Sequence, residues 1–315
     1  MPRLVIDTDP GVDDAFALAL AARSPEVDLA AVTTVFGNVG LDRTTANALG
    51  LLALAGRPDV PVAAGAARPL VYPAPHEADY AHGQDGLSGG TARLPAHPHG
   101  LHRLGAVDLL AQTLRDSPTP VTLAPIGPLT NIALLMATHP DLRSKIDRLV
   151  IMGGALTGGN TTAAAEFNIW ADPEAAYRVL VEEDVPTVLV PIDLTYRCAV
   201  DGAWLTTLRE TGPLGEILES FTPSYRAHYT ELLGHDCTIL HDAVAVAEAI
   251  SPGLLTTKRM PVTVQTTGPA RGAVIADQRL NVPLSPGYRE IDVAVDTDLD
   301  GLRNWFLTLL GRTES

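Results

Sequence analysis

The chain has 315 residues, 46% hydrophobic and 19% charged, the proportions of a compact globular protein with one large α/β domain or two smaller ones. Its net charge of −15 argues against nucleic acid or an anionic membrane as partner, because such a face needs clustered Lys and Arg; the only lysines are Lys145 and Lys258. Two cysteines, Cys198 and Cys237, are too few for a disulfide framework and are not spaced as a metal pair, so both are expected to be reduced and buried.

The first element is predicted at "RLVIDT", directly after Met-Pro, with no charged-then-apolar leader before it. No apolar run approaches the roughly 18 residues of a membrane helix, and the expectation is a soluble, cytoplasmic protein. Further strands are predicted at "LAAVTTV", "VTLAPI", "RLVIMGG" and "TVLVPIDL". They are continuously apolar, as strands of a parallel sheet covered on both faces are. Between them, "TTANALGLLALAG", "GAVDLLAQTLRDS", "LTNIALLMATHP" and "DPEAAYRVLVEED" place apolar residues at helical spacing.

Residues 72–100, rich in Pro, Gly and His, read as a long mobile loop, and residues 153–170 as a second, glycine-dense loop. Residues 212–240 should hold a helix and a loop before the helical "ILHDAVAVAEAI". Strands "MPVTVQT", "GAVIAD" and "EIDVAV" then precede a closing helix, "LDGLRNWFLTLLG". Strand–helix alternation without linker or repeat predicts a single α/β domain over 1–315, a mostly parallel, doubly wound (Rossmann-like) sheet with helices on both faces.

The polar residues concentrate at predicted strand ends, where ligands bind in open α/β sheets. Asp7 and Asp9 close the first strand and Asn38 follows the second. "PIGPLTN" follows the third, and "GGALTGGN" with "EFN" the fourth. The stretch "LVIDTDPGVDDAFALAL" adds Asp13 and Asp14. Helix capping explains part of it, with Asp9 as N-cap, Pro10 at the first helical position and two acids at the positive end of the dipole. Capping does not explain Asp7 and Asp9 together at a buried strand end beside two more carboxylates. Desolvated like charges a few Å apart take up protons or recruit a cation. No His/Cys cluster accompanies them, which disfavours zinc and favours a hard ion, Ca²⁺ or Mg²⁺. Asp242, in "LHDAVAVA", is placed to approach from the far side of the crevice.

In order and spacing, "DTDPGVDDAFAL", "GNVGLDRTTANAL", "PIGPLTNIAL", "MGGAL…N…EFNIWADPEAA" and "LHDAVAV" resemble the inosine–uridine-preferring nucleoside hydrolase family over nearly the whole chain. The resemblance implies Ca²⁺-dependent cleavage of the N-glycosidic bond of ribonucleosides to ribose and free base. It implies metal ligands from Asp9, Asp14, Asp242 and the main-chain carbonyl of Ile126. The family often has threonine there, a difference that a main-chain ligand tolerates. Asp9 is then also the general base toward the attacking water. Asp13, Asn160, Glu166 and Asn168 match ribose-binding positions, with Asn38 close by and Met152 either touching the sugar or in the core. Asp7 is expected behind them, orienting Asp9 or Asp14.

His241 matches the family's leaving-group acid, and His82 a loop histidine near the base. Tyr225, Arg226 and Tyr229 lie on the segment that closes over the base, although an amphipathic helix with exposed polar residues explains them equally well. Phe167 stacks or packs. Trp170, Trp204 and Trp305 fall outside the recognisable base-side loops, which disfavours the purine-specific subtype, where indoles sandwich the base, and favours broad or pyrimidine-leaning specificity. Relatives commonly assemble as homodimers or homotetramers. Two other functions compete. A Mg²⁺-dependent haloacid-dehalogenase-type phosphatase shares the Asp-x-Asp strand end but needs a late Gly-Asp that this chain lacks. A non-catalytic nucleoside- or ribose-binding protein would be expected to have lost the base or a metal ligand.

Overall fold

The computed structural model describes residues 1–279 and 283–312. From the N-terminus, β1 (Arg3–Thr8) leads into α1 (Val12–Arg23), β2 (Asp28–Thr34), α2 (Leu41–Leu54) and the short β3 (Val62–Ala64). A single helical turn, α3 (Asp79–His82), precedes α4 (Ala106–Asp116), β4 (Val121–Pro125), α5 (Thr130–Thr138) and β5 (Ile146–Met152). Then come α6 (Phe167–Ala171), α7 (Pro173–Tyr177), β6 (Thr187–Val190) and α8 (Ile192–Thr195). Three helices, α9 (Gly202–Glu210), α10 (Pro213–Ser220) and α11 (Pro223–Leu233), lead to α12 (His241–Ile250). The chain closes with β7 (Leu255–Val264), β8 (Val274–Ala276), β9 (Arg289–Thr297) and α13 (Leu299–Leu310).

The strands form one sheet in the order β3-β2-β1-β4-β5-β6-β9-β7-β8. It is parallel from β3 to β9 and antiparallel where β7 joins β9 and β8. Alternate strand residues feed opposite faces. Leu4, Ile6, Val32, Val150 and Val190 enter one core with α1, α2, α12 and α13. Val5, Ala31, Leu123, Leu149 and Leu189 enter the other with α4, α5 and α7. The expected doubly wound α/β sheet is therefore what the chain forms. Among the described residues no helix is long and apolar enough to cross a membrane, and Cys198 and Cys237 are free and buried.

Several boundaries differ from the expectation. The strand expected through "TVLVPIDL" stops at Val190, because Pro191 ends the ladder and residues 192–195 turn into α8. The helix after β1 begins at Val12 with Gly11 as N-cap, so Asp9 is not a cap and Pro10 lies outside the helix. The "DPEAAYRVLVEED" helix continues past Tyr177 as a wider π-type turn over Arg178–Glu182. Residues 72–100 contain α3 and a short 3₁₀ turn rather than loop alone, and 212–240 hold two helices rather than one.

Candidate active site

From β1 the chain winds outward to β2 and β3, then returns to place β4 on the other side of β1. The crevice outside the carboxyl ends of β1 and β4 is thus a topological switch point, where such sheets bind ligands. Asp9 enters it from the turn between β1 and α1, Asp13 and Asp14 from the first turn of α1, Ile126 from the end of β4, and Met152 from the end of β5. Glu166, Phe167 and Asn168 arrive with the start of α6, and His241 and Asp242 open α12. The cleft above is lined by Asp13, Asn38, His82, Ile126, Met152, Asn160, Glu166, Phe167, Asn168, Tyr225, Tyr229, His241 and Asp242. Asp9 and Asp14 are buried.

Oxygen atoms of Asp13, Asp14 and Asp242 lie within 4.8 Å of one another. Asp14 is the best satisfied, accepting from the Gly11 N–H at 2.9 Å, from Asn38 Nδ2 at 3.1 Å and from the Thr8 hydroxyl. Asp9 accepts the Asn38 N–H at 2.8 Å on Oδ2, while its Oδ1 is buried without a partner, as is Oδ1 of Asp13. Burial, followed by repulsion from Asp14 and Asp13, pushes the Asp9 carboxyl well above the usual carboxylate range. Burial and Asp14 push Asp13 up to about 8. Asp242 is raised well above its ordinary value by burial, then by Asp13, Asp14 and Asp9. Asp14 is raised by burial, against the bonds from Thr8 and Gly11.

Crowded buried carboxylates with two orphaned oxygens and, among the described residues, no nitrogen or sulfur ligand in the cluster form a donor set suited to a hard divalent cation. The cluster of three includes Asp13, expected on the ribose, and not Asp9. Ile126 keeps its carbonyl at the cleft, where it accepts from Asn168 Nδ2 at 2.9 Å and retains a second lone pair.

Asp7 does not orient Asp9 or Asp14. It points with Val5 to the α5 side of the sheet, where its Oδ1 accepts from the Thr33 hydroxyl at 2.5 Å and from Asn131 Nδ2 at 2.8 Å. The pleat gives the bracing role to the next residue, Thr8, which bonds Asp14. Burial lifts Asp7 to about 7 against those two bonds. Asn38, expected at the ribose, commits its side-chain amide to the Asp9 carbonyl at 3.2 Å and to Asp14, although it still lines the cleft. Glu166 caps α6, accepting from the Asn168, Gly154 and Ile169 N–H groups. Asn160 accepts the Phe167 N–H at 3.0 Å.

On the opposite wall, Nδ1 of His241 lies 2.6 Å from the Thr195 hydroxyl and Nε2 lies 2.9 Å from Oη of Tyr229. Burial lowers His241 to about 3, so the imidazole is neutral at neutral pH. His82 is buried rather than presented on an open loop: its Nδ1 accepts the Val12 N–H at 3.1 Å and its ring lies 4.9 Å from that of Tyr225. Burial lowers it also to about 3. Arg226 is not in the cleft. One residue on from Tyr225, it points out of α11 and pairs with Asp236 through Nε at 2.5 Å and Nη2 at 2.6 Å.

The cleft also holds Tyr80, Tyr196, His228 and Leu232, which the sequence did not single out. None of the three tryptophans lines it; Trp170 packs on His76 with ring centroids 4.2 Å apart.

Residues 4–304 match the family model described as inosine-uridine preferring nucleoside hydrolase. The chain is 39% identical over 304 residues to a pyrimidine-specific ribonucleoside hydrolase, RihA, of Salmonella paratyphi B, covering 95% of this chain and 94% of that one. Among solved structures, a plant nucleoside hydrolase superposes with a TM-score of 0.93 at 33% identity, covering 99% of both chains. A purine-preferring ribonucleoside hydrolase from Gardnerella vaginalis superposes with a TM-score of 0.89 at 31% identity, covering 98% of both. With its carboxylates gathered at the switch point and this likeness running along its length, the chain belongs to the inosine–uridine-preferring nucleoside hydrolase family and is an N-glycosyl hydrolase.

Proposed function

We propose that the chain, acting as one catalytic domain over 1–315, hydrolyses ribonucleosides with a preference for pyrimidine bases and depends on Ca²⁺. The observation that carries the metal is the set of buried carboxylates with orphaned oxygens on Asp9 and Asp13. Asp9, Asp14, Asp242 and the Ile126 carbonyl are its proposed ligands, with Asp13 near enough to join or to face the sugar. A bound cation would neutralise this cluster and orient the attacking water and the ribose hydroxyls.

Asp9, ionised under those conditions, takes the proton from the attacking water. Asp13, Asn160, Glu166 and Asn168, with Asn38 and Met152 beside them, hold the ribose while C1′ gains positive character, which the surrounding carboxylates favour. His241 and Tyr229, 2.9 Å apart on the far wall, form the proton-donating pair for the leaving base. Phe167, His82 and Tyr225 enclose the base side. The pyrimidine preference is supported by the specificity in the Salmonella relative's name and by a cleft without an indole. A cytoplasmic homodimer or homotetramer is the proposed assembly, which light scattering would report.

The test is ribose release from uridine, cytidine, inosine and guanosine, after chelation and after return of Ca²⁺ or Mg²⁺. Faster release from the pyrimidines, lost on chelation and restored best by Ca²⁺, is the expected result. Binding of uridine without release under saturating Ca²⁺ would leave the non-catalytic binding protein as the better description.

A further inference from the structure

One buried amide outside the reacting cluster joins two parts of the cleft wall. On α2, Arg43 and Asn47 are four residues apart and share a face. That face meets the segment that follows His82. Asn47 is 3% exposed, and its Nδ2 donates to the Pro10 carbonyl at 3.0 Å and to the Asp85 carbonyl at 2.9 Å. Both partners are acceptors, so the nitrogen must face them and both of its protons are used. Pro10 lies between Asp9 and the N-cap Gly11, so one bond fixes the turn that aims the aspartates. The other holds the His82 segment.

That segment is internally ordered. The Asp85 carboxylate accepts from the N–H groups of Leu87, Gly89 and Thr91 and from the Thr91 hydroxyl. The Ser88 N–H donates to the His82 carbonyl at 2.8 Å. Arg43 adds a bond to the Gln84 carbonyl. The loop backbone also reaches the turn directly: a Cβ on Gly86 would lie 2.8 Å from Nδ2 of Asn47 and 3.1 Å from the Pro10 carbonyl. His82 closes the circuit by accepting the Val12 N–H.

We infer that Asn47 is a positioning residue: it locks the His82 segment to the aspartate turn, so that the base-side wall and the carboxylate floor keep one register. Asn47 does not line the cleft and contacts none of the four clustered aspartates. Its effect on turnover rests on the hydrolase function, whereas its effect on the loop does not.

The test compares wild type with Asn47→Leu, which keeps the shape and removes both donors, and with Arg43→Ala, which removes the neighbouring anchor from the surface. Hydrogen exchange of residues 82–91 should quicken in Asn47→Leu and, to a smaller degree, in Arg43→Ala, while that of β4 and β5 stays unchanged. KM for uridine should rise by about tenfold for the lost bonds in Asn47→Leu, with kcat falling less. Unchanged exchange of 82–91, or a drop in Tm with KM and exchange both intact, would assign Asn47 to packing alone and overturn the inference. If Asn47→Leu does not fold, Asn47→Ser is judged by the same two readouts.

Discussion

Asp9 and Gly127 meet across the switch point so closely that a Cβ on Gly127 would lie 2.4 Å from Oδ1 of Asp9. On the other side, a Cβ on Gly37 would lie 1.9 Å from Oδ2. Neither glycine has a positive φ, so alanine is acceptable to the backbone at both positions; the severe conflict is with the Asp9 side chain, joined at Gly127 by a tight 3.1 Å approach to Cγ1 of Val35. Gly127→Ala is therefore expected to displace the proposed base while leaving the sheet intact. A misplaced reacting group costs on the order of 10²-fold in rate, and kcat/KM for uridine should fall by about that much. Wild-type kinetics in a folded Gly127→Ala protein would show that Asp9 does not need its observed position.

Metal removal should make stability depend on pH in a direction unusual for carboxylates. Asp7 and Asp13 are raised from 3.8 to about 7 and about 8, and Asp9, Asp14 and Asp242 are raised as well. Between the unfolded and folded values the native state binds more protons than the unfolded one, so stability falls as pH rises. His82 and His241 act the other way, because both are lowered from 6.5 to about 3 and lose native stability as pH falls below 6.5. Above about 6.5 the histidine contribution fades and the more numerous raised carboxylates outweigh it. In chelator, Tm should decline from about pH 6.5 to about pH 8.5, and the gain on adding Ca²⁺ should be larger at the upper end. A flat or rising Tm in chelator over that window would contradict the crowded, partly protonated cluster.

Arg226 lies at the surface rather than in the cleft, and its substitution should be silent in catalysis. Its guanidinium spans both oxygens of Asp236, and both side chains are well exposed. Exposed pairs contribute little to stability. Arg226→Ala should leave KM for uridine within about twofold of wild type and shift Tm little. A large rise in KM would place the guanidinium over the base after all.

Five continuous apolar runs and three later ones mark eight of the nine described strands, all but the short β3, and chain order puts the acids and the late His-Asp at one crevice. Asp7 faces away from the site although its sequence position adjoins it, because residues two apart on a strand, Val5 and Asp7, share a face, while the site lies on the face of Thr8. Of the two readings open for Arg226, a residue over the base or the exposed face of an amphipathic helix, the structure has the exposed face: Tyr225, Tyr229 and Leu232 follow i, i+4, i+7 and share the cleft wall with His228 at i+3. The same spacing would have found His228 and Leu232. Tyr80, Tyr196 and Thr195 carry no such signal, since their contacts come from elements far apart in the chain. Nor does the Gly37–Gly127 cradle, which exists only once β1, β2 and β4 are side by side.

The role of His241 separates cleanly by leaving group. Its two ring nitrogens are taken up by Thr195 and Tyr229, and burial keeps the resting imidazole neutral. In the proposed reaction the proton for a departing pyrimidine would come from this hydrogen-bonded pair rather than from a standing imidazolium. His241→Ala would remove one member and leave the Tyr229 hydroxyl without its partner. Acid catalysis is worth about 10²–10⁴-fold when the leaving group needs a proton. It is worth little when the leaving group departs as a stable anion. His241→Ala should thus lower kcat on uridine by about 10²-fold or more while slowing p-nitrophenyl riboside far less. His241 adjoins Asp242, so metal affinity must be measured in the same variant; an unchanged Ca²⁺ titration with a selective loss on uridine assigns the effect to the proton. Equal losses on both substrates would instead mean that His241 shapes the cleft, and that the acid is another group.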